Sequence, residues 1–389
     1  MRQIAHRIDP ADEQAWALIR RNFEVSPDFV NLENGYFGIQ ARPVLAAFQG
    51  YTAEINAEAA HFLRLRYEPL LRQVMAALAA FAGVSPEELL LTRNATESMN
   101  IMAQGYPFQP GDNVLLGAHD YDHVVPIFEQ IAARKGITLT RLRLPLHPRD
   151  DDEIVDLYER AIVPRTRVIL ATHMVHLTGQ IIPVGKLAAM ARRHGLDVMV
   201  DAAHSFAHIE YKLPDLASDF IAINLHKWLG APLGVGLAYI KRERIAEIEP
   251  LFADSVFATG DIRRLGHFGT TPPATILAIP DAIDFHNGIG SAEKEARLRY
   301  LKNYWMERVR DFGRIELLTP LDPARSCGIG AFRVKGMSSE AVYEYLWDEH
   351  RIFTVARTVD GGPAVRVTPH LYNTTEDLDR LVTALGRYR

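Results

Sequence analysis

At 389 residues and 48% hydrophobic, the chain is long enough to bury a large core, and its length implies two or three domains. Charge is nearly balanced, 43 basic residues against 48 acidic for a net −5, with no strongly basic block, which argues against nucleic acid as a partner. A single cysteine, Cys327, excludes an internal disulfide and a thiolate metal cluster.

The run from Met1 to Arg7 leads into no apolar stretch of the signal-peptide kind, and no segment approaches the ~20 apolar residues needed to span a bilayer. The expectation is a soluble cytoplasmic protein with no membrane partner. Residues 1–30 are mixed and polar, with one helical patch from Trp16 to Phe23, and read as an arm. Between Leu70 and Phe81 the apolar residues Leu70, Leu71, Val74, Met75, Leu78 and Phe81 fall at helical spacing. Pro86-Glu87-Glu88 starts a short helix, and Leu89–Thr92 is a short strand.

Apolar runs then alternate with helical patterns. Strands are expected at Asn113–Leu116, Thr138–Leu142, Arg167–Ala171, Asp197–Asp201, Phe220–Asn224 and Val235–Ile240, with helices at Val124–Arg134, Glu153–Ile162 and Val184–His194. That alternation predicts an α/β fold, a mostly parallel central sheet with helices on both faces. The pattern changes near residue 280. A long charged helix (Glu293–Arg310), a strand (Gly330–Val334), a helix (Ser339–His350), a strand (Ala364–Thr368) and a last helix (Thr375–Leu385) predict a smaller C-terminal α+β domain. The division is an arm over 1–30, a large domain over 31–280 and a small one over 281–389.

Sheets of this kind bind ligands at the carboxyl ends of their strands. Asp201 ends one fully apolar strand, and His226-Lys227 follows another. An amine that can form an imine, with a carboxylate able to hold a pyridinium proton, is what a pyridoxal phosphate (PLP) enzyme requires. Each residue has an ordinary alternative: a solvated lysine, a helix-capping aspartate, a satisfied turn histidine at His204. Asn94-Ala95-Thr96-Glu97-Ser98 opens a helix after a strand and offers backbone N–H groups and a hydroxyl to a phosphate, or merely a helix cap. Tyr121, after another strand end, offers a ring to stack on a planar cofactor, or a core or surface side chain.

Taken in order, these motifs resemble the class V aminotransferase family of fold type I PLP enzymes, which includes cysteine desulfurases and isopenicillin N epimerase. The likeness spans roughly residues 30 to 385. Its anchors are Thr92–Glu97, Thr172–Gly179, Asp201–His204, Asn224–Lys227, Gly269-Thr270 and Val365–Asn373, and the opening Leu32–Gly38 looks most like the epimerase branch. The resemblance implies PLP as cofactor and Lys227 as the lysine that carries it as an imine. It implies Asp201 as partner of the ring nitrogen, Tyr121 as the stacking ring, and His204 and His176 near the 3-oxygen. Ala95, Thr96, His226 and Asn224 fall in the phosphate region, and Thr270 where the family reaches the neighbouring subunit's phosphate, which implies a homodimer with shared sites. Arg366 matches the residue that grips the substrate carboxylate, and Asn34 is expected at the substrate.

The chain departs from the family pattern in two respects: Tyr121 stands where many members have histidine, with Asn224 in place of the usual serine, and the desulfurase cysteine is missing. The stretch 356–363, where the desulfurases carry a nucleophilic cysteine, has none, and Cys327 lies too early and reads as a buried structural thiol. Leu233-Gly234-Val235-Gly236 and Gly328-Ile329-Gly330 complete no GxGxxG, so glycine at a strand start is the better reading. No metal ligand set is assigned. The implied activity is Cα deprotonation of a PLP-bound amino acid or amino-acid conjugate, completed as C–S lyase-type β-elimination or as transamination. An epimerase is the alternative. Two other readings are a metal-dependent hydrolase built on the pairs His119/His123 and His204/His208, and a PLP-fold protein that binds without turnover.

Overall fold

The structure is a computed structural model, and it describes residues 8–388. The first seven residues of the expected arm, with the stretch weighed for a signal peptide, lie outside the described residues. Within the arm, Trp16 is buried in a helix that runs Glu13–Arg20 and is capped by Asp12.

Seven strands form the central sheet: β1 (Leu89–Thr92), β2 (Asn113–Gly117), β3 (Thr138–Leu142), β4 (Thr166–Thr172), β5 (Asp197–Asp201), β6 (Phe220–Asn224) and β7 (Gly236–Ile240). Their order is β1-β7-β6-β5-β4-β2-β3. β7 is antiparallel to both neighbours, and the other pairs are parallel. The expected alternation of strand and helix is present. The central strands β2, β6 and β7 are buried along their whole length, because helices cover both faces. One core cluster holds Leu115, Ile169, Val200 and Ile223, and the other holds Val114, Leu170, Met199 and Ala222. Neighbouring positions of one strand thus feed opposite faces, as the strand period of two requires.

Four further strands, β8 (Ile315–Leu317), β9 (Gly330–Val334), β10 (Val355–Val359) and β11 (Gly362–Val367), form an antiparallel sheet in the order β10-β11-β9-β8. The helices Ser291–Val309, Ser339–His350 and Thr375–Arg387 share its core, around Trp305, Leu346 and Leu381. The stretch 356–363 lies in β10, in the start of β11 and in the two-residue turn between them, Asp360-Gly361, whose φ values of 54 and 76 are both positive. That is the turn whose twist suits a tight hairpin.

Three connections bring distant segments to the carboxyl edge of the central sheet. Val30-Asn31 pairs in parallel with Ile352-Phe353, and Glu33 bridges to Thr368. At the other side, Gly236 opens β7 where a Cβ would fall 2.6 Å from Cα of Asn94. Only glycine lets that strand lie so close to the turn before the helix Ala95–Gly105, as the strand-start reading requires. Helix Arg42–Glu58 has no counterpart in the sequence reading; it buries only Val44 and so shows little apolar period.

Candidate active site

Strand ends and one helix start surround a cavity lined by Ala95, Thr96, Tyr121, Thr172, His176, Asp201, Ala203, His204, Asn224 and Lys227. Eight of these are the expected residues Ala95, Thr96, Tyr121, His176, Asp201, His204, Asn224 and Lys227, drawn together from turns far apart in the chain. Thr172 and Ala203 were not singled out by sequence. Ala203 had a usable signal, since it stands two residues after the acid at the end of an apolar strand.

Lys227 follows β6, where the sheet delivers its amine into the cavity. Burial pushes the amine down to about 8, against the opposing pull of Asp201. Its Nζ lies 3.0 Å from Nε2 of His204. On the other side of that imidazole, the Trp228 indole N–H donates to Nδ1 at 3.4 Å. A neutral His204 accepting at Nδ1 carries its proton on Nε2 and presents it to Nζ. That arrangement calls for the amine in its neutral form, and burial also holds His204 well below the usual histidine range.

Asp201 ends β5 and is buried at 4% exposure. One oxygen accepts the Ala203 N–H at 2.9 Å, and the other has no hydrogen-bond partner among the described residues. Burial raises its pKa, so the site favours a partner that brings a proton. Tyr121 sets its ring 6.0 Å from Nζ of Lys227 and edge-on to His176 at 5.0 Å. His176 is buried, and its Nδ1 has no hydrogen-bond partner among the described residues.

The opposite end is made by the helix Ala95–Gly105. Asn94 caps it by accepting the Glu97 N–H, and Asn224 accepts the Ala95 N–H at 2.8 Å. Between them, the Thr96 N–H and hydroxyl have no hydrogen-bond partner among the described residues, at the positive end of an eleven-residue helix. These groups fit PLP: a carboxylate lacking a donor for the ring nitrogen, a helix start lacking an anion, and a buried amine with a depressed pKa between them. His226 stands outside the cavity lining; its Nδ1 meets the Val235 carbonyl at 2.8 Å, which leaves Nε2 unpaired.

Three further expected residues are not in the lining. Thr270 is exposed on the surface. Asn34 is buried, its amide donating to the Thr368 carbonyl at 2.8 Å and accepting from the Tyr372 hydroxyl. It ties the N-terminal segment to the end of β11. Arg366 lies in β11 at 2% exposure, donating to the His176 carbonyl at 2.8 Å and ion-paired with Glu33. Glu33 was not picked out by sequence, although an acid between Leu32 and Asn34-Gly35 was its signal. Cys327 is fully buried and away from the cavity, as read from the sequence.

The family profile described as Aminotransferase class-V matches residues 39–381. The isopenicillin N epimerase of Streptomyces clavuligerus is 32% identical over 387 residues, covering 95% of this chain and 97% of that protein. A probable cysteine desulfurase of Halalkalibacterium halodurans is 28% identical over 78% of each chain. Among solved structures, a C-DES mutant with glycine covalently linked to its PLP cofactor superposes with a TM-score of 0.86 at 23% identity. It covers 95% of this chain and 99% of that one, so the two share a fold. The chain belongs to the class-V aminotransferase family.

Proposed function

From membership of the class-V aminotransferase family and the geometry of this cavity, we propose a PLP-dependent enzyme that removes the Cα proton of an amino acid or amino-acid conjugate. The reaction is completed by C–S lyase-type β-elimination or by transamination. Bound there, PLP supplies a cationic ring that accepts the electron pair left on Cα. The chain's own residues do the rest. Asp201 holds the proton on the ring nitrogen. The Thr96 N–H and hydroxyl, Ala95 and His226 hold the phosphate, Asn224 fixes the turn that carries them, and His176 and Tyr121 bound the ring. Lys227 is the attachment point and, as a free amine, the base for the Cα proton, with His204 holding it unprotonated. Arg366 takes the carboxylate. Thr270 serves the phosphate of a neighbouring subunit, which makes the working unit a homodimer. Residues 31–280 are then the cofactor-binding domain and 281–389 the smaller one, with an arm before them. A single buried cysteine accords with a cytoplasmic enzyme.

The observation that carries this reading is the buried amine of Lys227, 3.0 Å from His204 in the same cavity as the unpartnered oxygen of Asp201. A metal hydrolase has no comparable support. Among the described residues no group of three or more His, Cys, Asp or Glu is placed to hold a metal ion, and His119 is engaged with Asp360 at 2.9 Å. The tight hairpin at Asp360-Gly361 offers no thiol, so sulfur chemistry here proceeds by elimination and not by a protein persulfide. Epimerisation is the second reading, favoured by the 32% identity to an isopenicillin N epimerase.

Purified protein is expected to be yellow, and borohydride to fix a pyridoxyl group on Lys227. A colourless preparation that takes up no PLP rejects the reading. Amino acids and cysteine conjugates then separate the outcomes: pyruvate with ammonia marks elimination, amino transfer to a keto acid marks transamination, and inversion alone marks epimerisation. Lys227→Ala is expected to fold and to lose Cα–H exchange with solvent by about 10²–10⁴-fold.

A further inference from the structure

The guanidinium assigned to the substrate is already occupied. Glu33, only 7% exposed, places one carboxylate oxygen on Nη2 of Arg366, and its other oxygen accepts from the Thr368 hydroxyl at 3.4 Å. Nη1 of Arg366 is held by the His176 carbonyl, and Nε is buried without a partner. A substrate carboxylate cannot gain a two-pronged contact with Arg366 while Glu33 stays in place.

A second guanidinium stands beside this pair. In the hairpin register Val355 faces Arg366 and Arg357 faces Ala364, so the strand period puts Arg357 and Arg366 on one face as diagonal neighbours. Arg357 is partly buried, donates only to the Ala356 carbonyl at 3.3 Å, and has no acidic partner among the described residues. Burial and then Arg366 disfavour its charge, while Glu33 acts the opposite way, so the three groups sense one another. Arg366 donates to the carbonyl of His176, which lines the cavity, so the cluster adjoins the site of Lys227, whose amine senses all three groups. Two cations and one internal anion leave a single positive charge.

We propose that Glu33 is an internal competitor for Arg366 that an incoming α-carboxylate displaces onto Arg357. One substrate carboxylate then balances the cluster, and Arg357, taken up by Glu33, is closed to a second anionic group. The site therefore selects amino acids that carry one carboxylate and a neutral or cationic side chain. This rests on the reading that Arg366 binds the substrate carboxylate.

Acetate is the probe, measured on the holoenzyme by equilibrium dialysis of the labelled anion. Glu33→Gln is expected to bind acetate about tenfold tighter than the wild type, and Arg366→Gln to lose binding. Unchanged or weaker binding in Glu33→Gln, with binding lost in Arg366→Gln, overturns the competitor and leaves the carboxylate reading standing. Full binding in Arg366→Gln overturns both. Should Glu33→Gln fail to fold, crystals of the wild-type holoenzyme in saturating acetate decide the matter. Glu33 turned onto Arg357 supports the proposal, and Glu33 still on Arg366 overturns it. Aspartate should also gain about tenfold on alanine as a substrate in Glu33→Gln, and an unchanged ratio counts against the selectivity.

Discussion

The Trp228 indole donates to Nδ1 of His204, so the residue that follows Lys227 sets the tautomer of the imidazole facing it. The amine, the ring that holds it and the indole that orients the ring form one chain of contacts. Lys294 extends it by donating to the Trp228 carbonyl. A side chain that touches no reacting atom thus fixes the ring that faces the amine.

Loss of the His204 donor should raise the lysine's affinity for its proton. In cofactor-free His204→Phe, the pH midpoint for cofactor capture by Lys227 is expected to move up by about one unit, the worth of one hydrogen bond. His204→Gln retains an N–H donor and should move less. Capture rates measured between pH 6 and about 10 give the answer, and a downward shift would show that His204 does not favour the free amine.

The depressed lysine also makes the cofactor-free fold sensitive to alkali in an unusual direction. Unfolded, Lys227 binds its proton up to about pH 10.4; folded, it holds it only to about 8. The unfolded chain therefore binds more protons between these values, and stability rises with pH across that window. Burial of the charge costs about 3 kcal/mol below pH 8, and the cost disappears as pH climbs towards 10. Denaturation of cofactor-free wild type beside Lys227→Met should show the variant more stable at pH 7 and the gap closing by pH 10.

Gly236→Ala should damage the phosphate end without touching a reacting group. Its Cβ would fall 2.6 Å from Cα of Asn94, and neither backbone can give way cheaply. A stability loss of about 1–3 kcal/mol is expected, together with faster loss of cofactor on dialysis. Destabilisation with unchanged cofactor retention would mean that β7 does not set the position of the turn.

Cys327 should be inert. Burial pushes its thiol up to about 12, and it is fully enclosed. A coloured disulfide reagent is expected to report no thiol in the folded protein and one after denaturation. Turnover of Cys327→Ala should stay within about twofold of wild type; a large loss would reinstate a protein-borne sulfur step.

Much of the central fold was legible because most of its strands are apolar runs that end in polar turns, while the edge strand Thr138–Leu142 alternates. Leu89–Thr92, Thr138–Leu142, Asp197–Asp201 and Phe220–Asn224 begin and end where the pattern places them. Eight cavity residues were legible for a related reason, since each sits at a strand end or within a few residues of one. What escaped depends on contacts across long separations. Asn34 looks like any polar side chain until the fold brings Thr368 and Tyr372 onto its amide. Glu33 acquires its meaning only beside Arg366. The hairpin of Val355–Val367 had a local signal in Asp360-Gly361, but the polar flank Arg357-Thr358 masked the strand before it.

The bonds between Asn34 and Thr368 join positions 334 residues apart. A growing polypeptide therefore cannot set Arg366 beside this pocket while its last strands are still in the ribosome, even with the entire central sheet in place. Truncated products that lack β11 should trap no amino acid.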